Sequence, residues 1–371
     1  MTHAEDDETA QLVALLEEGV RDGVFPGAVA AVGRLGSRRV RRIVACAGSL
    51  APGERAVDPE TPYDLASLTK SFVAMTALRL VQRGALDLHA PIAEAIEELS
   101  RTPGGESPLA LLLSHRAGLA AWGALYREHA FPPGSVEARR AMLREAAVRV
   151  DASRGRQESV YSDLGYLLAG ETLVRRTGVD LAALVEREVT RPLGIAERLA
   201  YAGALDGRAR EALVTRAAPT ESCTLRGRVV RGEVHDENCY VFGGVSGHAG
   251  LFGTAEAVLT FGIALLIAYE GRSRWLDQAL LRWALAPRGP GYVVGFDTKS
   301  AEGSSAGALF SARAFGHLGF TGTSLWCDPM RRVCAVLLTN RVHPTRENIA
   351  IRAFRPRFHD LVAQLPLGGG A

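Results

Sequence analysis

The chain has 371 residues, 47% of them hydrophobic and 23% charged, and its formal net charge is +2. This is the composition of an ordinary globular protein, and at this length two lobes are expected rather than one core. A near-balanced charge without a long basic run excludes a protein whose main partner is nucleic acid.

The first residues carry no segment of the secretory kind. Residues 1–8 lack a basic start followed by an apolar stretch, and the most hydrophobic run, 258–268, is too short to cross a membrane. The five cysteines are odd in number and scattered, unlike a disulfide framework. We therefore predict a cytoplasmic protein without a membrane partner.

The N-terminal quarter predicts a helix, two strands and a second helix. Residues 8–21 have the spacing of an amphipathic helix, and 27–32 and 40–47 have the character of adjacent strands or a hairpin. Residues 67–83 then form an apolar segment without a helix breaker, which ends at Gly84. This segment predicts a helix buried in the middle of the protein.

The central region is predicted to be mainly helical and the last quarter to return to strands. The predicted central helices are 109–114, 136–150, 163–177, 181–190, 255–270 and 275–285, with an irregular polar stretch at 202–250. The predicted late strands are 292–296, 312–316, 323–327 and 333–339, the last two joined by a turn at Asp328, and a closing helix covers 346–364.

This order of elements predicts an α+β fold. The strands at both ends of the chain would build one antiparallel sheet flanked by helices, with an all-helical lobe inserted between them. We place the sheet domain in residues 1–88 together with 270–371 and the helical domain in 89–269. The active site is expected between the two domains.

The start of the buried helix carries the first chemical signal. Ser67 and Lys70 are three residues apart and so share one helix face, in the turn where unpaired backbone N–H groups favour negative charge. Only two lysines, Lys70 and Lys299, occur in the chain, and the other basic residues are arginines. Since arginine cannot be deprotonated in a protein, a lysine here suits a base beside a serine nucleophile. The alternative is a surface lysine with Ser67 as a simple helix cap.

Two further patterns point to the same chemistry. Tyr161 precedes Ser162 and Asp163 at a predicted helix start, where a tyrosine hydroxyl near a cationic lysine can carry protons. The alternative is a buried aromatic residue before a helix cap. His317, Leu318 and Gly319 lie at the edge of a predicted strand, and the glycine allows a ligand to approach the backbone.

Taken together, Ser-x-x-Lys, Tyr-x-Asp and His-x-Gly occur in the order that resembles the serine β-lactamase and penicillin-binding family, in its class C-like branch. That branch includes class C β-lactamases, DD-peptidases, D-aminopeptidases and esterases. Residues 112–119 and 243–253 support the resemblance, which extends from about residue 27 to 340. It implies a β-lactamase/transpeptidase-like fold with a three-layer αβα arrangement.

The resemblance also implies roles for individual residues. Ser67 would be the acylated nucleophile, Lys70 and Tyr161 would share the base and acid work, and the N–H groups of Ser67 and Phe320 would form the oxyanion hole. Asp163, His317, Gly319 and Phe320 would bind the substrate.

Asp163 and His317 depart from the commoner residues of the family. Asp163 replaces an asparagine and can only accept hydrogen bonds when ionised, which should disfavour penicillins and cephalosporins. Asp163 would also stabilise protonated Lys70 if the two are close. His317 stands where many relatives have lysine, and an ordinary histidine pKa there would make substrate preference depend on pH between about 6 and 8.

The remaining histidines are weaker candidates. His235, His248 and Cys223 lack familiar zinc spacing, so we predict no metal and no cofactor and expect these residues in loops or at the rim of the cleft. His115 is expected to orient a turn.

Two functions remain open at this point. The leading one is a serine hydrolase that forms an acyl-Ser67 intermediate with an ester or an amide, and its rival is a penicillin-recognising sensor that acylates without turnover. The substrate would be a small molecule or a peptide, among them β-lactams, short esters, D-amino-acid peptides and muropeptides. The sequence does not define the oligomeric state.

Overall fold

The computed structural model describes residues 3–37, 39–128, 130–151 and 158–366. The α-helices in these residues are α1 (His3–Arg21), α2 (Thr69–Gln82), α3 (Leu109–Leu113), α4 (Val136–Val148), α5 (Asp163–Thr177), α6 (Leu181–Val185), α7 (Gly207–Arg216), α8 (Glu237–Val241), α9 (Ala255–Tyr269), α10 (Gln278–Ala284) and α11 (Ile351–Gln364). The strands are β1 (Gly27–Leu35), β2 (Val40–Gly48), β3 (Tyr63–Asp64), β4 (Leu199–Tyr201), β5 (Ser222–Cys223), β6 (Arg228–Val229), β7 (Leu251–Gly253), β8 (Asp297–Thr298), β9 (Phe315–Leu318), β10 (Ser324–Asp328) and β11 (Val333–Thr339).

One antiparallel sheet of six strands combines the two ends of the chain. Its order is β2-β1-β11-β10-β9-β8. Strand β1 pairs with β2 on one side and with β11 on the other, so the N-terminal and C-terminal hairpins meet at the centre of the sheet. This topology confirms the predicted α+β fold, including the hairpin that turns after Asp328.

The two faces of the sheet are buried by different helices. Along β1, Val29 and Ala31 belong to the core shared with α9, whereas Ala30 and Val32 belong to the core under α1 and α11. This alternation is the period of two that a strand imposes on its side chains. Together the helices and the sheet make three layers, as the family resemblance implies.

Helix α2 lies between α9 and the helical part of the molecule. Its residues from Thr69 to Leu80 are all buried, and it contacts α5, α6 and α10. On the side toward the sheet, the ring of Phe72 stacks on Phe261 of α9 with centroids 4.0 Å apart. The buried central helix predicted from the sequence is therefore present, and a 3₁₀ turn, Ala66–Leu68, precedes it.

The packing of α9 differs from the predicted domain division. The sequence places residues 255–269 in the helical domain, but α9 contacts β1, β10 and β11 and covers one face of the sheet. The division at residue 269 remains a prediction, and this packing argues against it, because the pattern shows that a helix is apolar without showing what it packs against. A boundary before Ala255 follows the packing better.

Other differences concern short elements. The stretch 202–250, predicted as irregular, contains α7, α8 and the β5-β6 pair. The sequence pattern did not predict α7, because only Leu213 of its residues is buried and the helix therefore lacks an apolar stripe. Residues 292–296 form a turn with a single bridge between Val293 and Phe296, and the strand predicted at 312–316 lies at Phe315–Leu318. None of the helices in the described part of the chain is long and apolar enough to span a membrane.

Candidate active site

Ser67 lies at the entrance to α2 on a tightly held turn. Ala66, just before it, has a φ of +46°, in the left-handed region that costs a residue with a Cβ roughly 1–2 kcal/mol. The carboxylate of Asp64 holds this conformation by accepting the N–H of Ala66 at 2.8 Å. The turn presents Ser67 at the first turn of the helix, where backbone N–H groups lack helical partners.

Lys70 and Tyr161 meet at the hydroxyl of Ser67. Lys70 Nζ lies 2.9 Å and Tyr161 Oη 2.6 Å from Ser67 Oγ. Lys70 is fully buried, so the alternative of a surface lysine is wrong. The structure thus brings together the three residues that the sequence singled out for catalysis.

Opposing influences act on the pKa of Lys70. Burial lowers this pKa, whereas the carboxylate of Asp163, 2.6 Å from Nζ, favours the charged form. Burial is the larger influence, so the pKa lies below its ordinary value. Nζ also donates to the main-chain carbonyl of His248 at 3.1 Å, which fixes the amine beside Ser67.

His115 positions the segment that carries Tyr161. Its Nδ1 accepts the N–H of Ser162 at 2.9 Å, and the centroid of its ring lies 4.7 Å from the centroid of the Tyr161 ring. The prediction that His115 orients a turn is confirmed by these contacts. Burial first, and then Asp163, raises the pKa of Tyr161 well above its ordinary value. The resting hydroxyl is therefore protonated and donates to Ser67 Oγ.

Asp163 is free for a role in the cleft because another residue caps α5. The N-cap is Ser162, whose hydroxyl accepts the N–H of Gly165 at 3.1 Å. The side chain of Asp163 is instead directed to Lys70. The predicted proximity of Asp163 and Lys70 is confirmed, and Asp163 does not cap α5.

A network that the sequence did not reveal supports the amine from the other side. His248 Nε2 lies 2.9 Å from Asp236 Oδ1, and its Nδ1 lies 2.8 Å from Ser246 Oγ. The nearby His248 lowers the pKa of Asp236 far below its ordinary value despite burial. The sequence singles out His248 and residues 243–253, but only folding brings Asp236 to His248. In the described residues, no group of three or more metal-binding side chains is arranged to hold an ion.

His317 lies in β9 beside the reacting groups, but it does not carry a charge. Its Nδ1 contacts the carbonyl of Leu318 at 2.9 Å and therefore bears the proton of the neutral ring. Burial and then Lys70 lower its pKa to about 3. The expectation that His317 titrates between pH 6 and 8 is wrong, because an ordinary pKa presupposes contact with water.

Gly319 and Phe320 follow β9 in a turn tied to the nucleophile's segment. Thr321 Oγ1 donates to the carbonyl of Asp64 at 2.7 Å, and Thr323 Oγ1 donates to that of Leu65 at 3.1 Å. A Cβ at Gly319 would lie 1.9 Å from Thr323 Oγ1, so only glycine fits. Among the described residues nothing accepts the N–H of Phe320, which leaves it available to a ligand.

A cleft of about 510 Å³ opens above Ser67. Of the predicted site residues, Ser67, Tyr161, Asp163, His317, Gly319 and Phe320 line it, and Lys70 lies behind Ser67. Its lining also includes residues that sequence reasoning missed, namely Asp236, Tyr292, Asp297, Arg341 and Arg355. No spacing in the sequence relates them to Ser67, since they come from four separate segments.

Comparison with known proteins agrees with this geometry. The family model described as Beta-lactamase matches residues 12–355. An N-acetylmuramyl-L-alanine amidase of Bacillus subtilis is 31% identical over 305 residues, which are 76% of this chain and 68% of the relative. A putative D-alanyl-D-alanine carboxypeptidase of Salmonella gallinarum is 26% identical over 308 residues, covering 76% and 70%.

Solved structures share the fold at lower identity. EstCE1, a hydrolase with promiscuous acyltransferase activity, superposes with a TM-score of 0.74 at 20% identity, covering 98% of this chain and 100% of the other. The D-amino acid amidase of Ochrobactrum anthropi gives a TM-score of 0.70 at 18% identity, covering 96% and 98%.

Proposed function

This chain belongs to the beta-lactamase family of serine hydrolases, and from that premise we propose that it cleaves an ester or an amide with Ser67 as the acylated nucleophile. The observation that carries the assignment is the meeting of two proton carriers at one hydroxyl, with Lys70 Nζ 2.9 Å and Tyr161 Oη 2.6 Å from Ser67 Oγ. Such a pairing of nucleophile and base is what covalent catalysis requires.

In acylation, Ser67 Oγ attacks the acyl carbon and its proton passes to Lys70. The lowered pKa of Lys70 makes the neutral amine more accessible than that of an ordinary lysine, whereas Tyr161 starts protonated. The oxyanion forms at the N–H groups of Ser67 and Phe320. The bond to the leaving group then breaks as Tyr161 donates its proton to it, and Lys70 returns a proton to Tyr161.

Deacylation reverses the proton flow. A water molecule attacks the acyl-Ser67 carbon and gives its proton to the neutral amine of Lys70, and Ser67 Oγ leaves with the proton that Lys70 returns. The carbonyl of His248 keeps the amine in place during both steps. The enzyme thus ends in its starting protonation state.

We propose small molecules or peptides as substrates, with esters and amides favoured over β-lactams. Asp163 lines the cleft and as a carboxylate cannot donate to the acyl-amide carbonyl of a penicillin. The relatives include an amidase and a putative carboxypeptidase, so D-amino-acid peptides and muropeptide fragments belong in the substrate panel beside short esters.

A fluorophosphonate probe and a chromogenic ester test the assignment on one preparation. We expect the probe to add one mass equivalent at Ser67, the ester to turn over many times, and Ser67→Ala to abolish both. Labelling that persists at another serine in Ser67→Ala would contradict the choice of nucleophile. Release of a single equivalent followed by arrest would favour the rival function, a sensor that acylates without turnover.

We also propose that the protein works in the cytoplasm. All five cysteines are free, and Cys327 and Cys334 lie opposite each other on β10 and β11 with Sγ atoms 3.6 Å apart without a disulfide. Unjoined thiols at such a distance suit a reducing compartment. In cell fractionation the protein should appear with a cytoplasmic marker. This location favours an esterase or an amidase of recycled fragments over a peptidase of mature peptidoglycan.

A further inference from the structure

Two buried arginines hold the peptide groups on either side of Phe320. Arg355 Nη2 donates to the carbonyl of Gly319 at 2.8 Å and to that of Thr323 at 2.9 Å. Arg341 donates to the carbonyl of Phe320 itself through Nε at 2.8 Å and Nη2 at 2.5 Å. Both side chains therefore act on the turn that presents the N–H of Phe320.

The bond from Arg355 reaches that N–H directly. The carbonyl of Gly319 and the N–H of Phe320 belong to one planar peptide group and point in opposite directions. A donor that fixes the carbonyl thus also fixes the direction of the N–H. The positive guanidinium that donates to the carbonyl oxygen also polarises the peptide group and makes its N–H a stronger donor.

Neither arginine has a carboxylate partner among the described residues. Their hydrogen bonds all go to main-chain carbonyls, including those of Arg346 and Asn348 for Arg341. Arg355 is almost completely buried, and burial together with Arg341 and Arg352 lowers its pKa to about 9. Buried charges in proteins are normally paired, so a guanidinium left without its counter-charge needs an explanation.

We propose that Arg355, assisted by Arg341, is a positioning residue that orients and polarises the oxyanion-hole N–H of Phe320. The counter-charge missing in the resting protein is the oxyanion itself, which appears only in the tetrahedral intermediate. The interaction is then stronger in the transition state than in the ground state, which is the condition for raising kcat. This inference rests on the proposed function, because it requires acyl transfer at Ser67.

The alternative is a purely structural tie between α11 and the turn. Such a tie would affect folding and the fraction of active protein, but not the rate of each correctly folded site. The two readings therefore differ in the kinetics per labelled site.

The test compares Arg355→Lys, Arg355→Gln and Arg355→Met with the unchanged protein. Fluorophosphonate titration counts active sites, and ester hydrolysis gives kcat and KM per site. We expect kcat per site to fall about 10- to 100-fold in Arg355→Met, less in Arg355→Lys, with KM changed less than about threefold. The affinity for a boronic acid, whose tetrahedral adduct with Ser67 carries an oxygen at the oxyanion position, should fall in proportion to kcat/KM.

Arg357→Met provides the matched control. Arg357 lies on the same helix, is exposed, and pairs with Glu18 at 2.8 Å. The variant Arg357→Met removes a charge from α11 without altering a contact to the turn. Its kcat per site and its boronate affinity should remain within about twofold of those of the unchanged protein. If Arg355→Met does not fold, Arg341→Met tests the same turn through the carbonyl of Phe320, with a smaller expected loss of kcat per site.

The outcomes separate this inference from the proposed function. An unchanged kcat per site and an unchanged boronate affinity in folded Arg355→Met and Arg341→Met, with Ser67 still labelled, would overturn the positioning role and leave the hydrolase assignment intact. Absence of both labelling and turnover in the unchanged protein would overturn the hydrolase assignment, and the inference with it.

Discussion

At the scale of single residues, the environment of each group decides what its type can do. Lys70, Tyr161 and His317 all differ from their ordinary behaviour because they are buried beside one another. The same burial that makes an amine available as a base keeps the phenol protonated and the imidazole neutral.

Lys70→Arg should be as damaging as Lys70→Met. Arginine keeps the positive charge but cannot accept the proton of Ser67, so both variants should lose at least about 1,000-fold in kcat. Steady-state ester hydrolysis, normalised to labelled sites, measures this. A Lys70→Arg variant within tenfold of the unchanged enzyme would mean that the amine serves only as a cation.

Asp163→Asn should shift the balance between substrates. The new amide can donate to the acyl-amide carbonyl of a penicillin, so β-lactam acylation should rise about tenfold relative to ester hydrolysis. Measuring both reactions on one preparation cancels any common loss from the broken pair with Lys70. An unchanged ratio would show that Asp163 does not repel such substrates.

Asp297→Asn should stabilise the protein above neutral pH. Burial raises the pKa of Asp297 to about 6 from 3.8, so the folded state holds the proton more tightly than the unfolded chain. The contribution of this group to stability is therefore lost as pH rises from about 4 to 6, by roughly 3 kcal/mol at most. Urea unfolding should show a larger gain for Asp297→Asn at pH 8 than at pH 5. Equal gains at both values would disprove the linkage.

At the scale of elements, close backbone approaches place the proposed catalytic groups. Helix α5 meets the loop before β7 where Gly170 faces Gly247, and a Cβ on Gly247 would lie 1.9 Å from the carbonyl oxygen of Tyr166. The next residue, His248, supplies the carbonyl that holds Lys70. The distance between a helix and a loop thus determines the position of the amine.

Gly247→Ala should lower both stability and activity. Because the obstructing atom belongs to the backbone, the loop must move, at a cost of roughly 1–3 kcal/mol, and the carbonyl of His248 moves with it. Gly165→Ala in α5 is the control, since its nearest neighbours are 3.6 Å away and alanine favours a helix. The midpoint temperature of thermal unfolding and the kcat per labelled site should both fall for Gly247→Ala and stay unchanged for Gly165→Ala. Comparable behaviour of the two variants would refute the close-approach argument.

At the scale of the whole molecule, the three layers leave buried histidines in their neutral form. Burial lowers the pKa of His359 in α11 to about 4, that of His317 in the sheet to about 3, and that of His115 well below its ordinary value. None of these rings gains a carboxylate partner in the described residues. In the folded protein these three histidines therefore bind fewer protons than they do in the unfolded chain.

The fold should accordingly be lost on mild acidification. Histidines with lowered folded pKa values contribute stability above about pH 6.5 that is lost as pH falls toward the folded values, at up to about 1.4 kcal/mol per pH unit each. Between pH 6 and 5 these three histidines should contribute about three protons to the slope of unfolding free energy against pH, partly offset by the proton that folded Asp297 retains. His359→Gln should remove one of them. A slope near zero would contradict this account.

The sequence by itself determined the fold class and the proposed catalytic trio, through local spacing and the order of the motifs. Strand alternation and the apolar segment after Ser67 identify the sheet and its central helix, and a spacing of three residues places Lys70 beside Ser67 on any helix. Tyr161 joined them through the order of the motifs. Only the tertiary structure decided the remainder, since protonation and hydrogen bonding depend on neighbours far along the chain. The neutral state of His317, the pairing of Asp163 with Lys70, the support of His248 by Asp236 and the contact of Arg355 with Gly319 all arise when separate segments exclude water together.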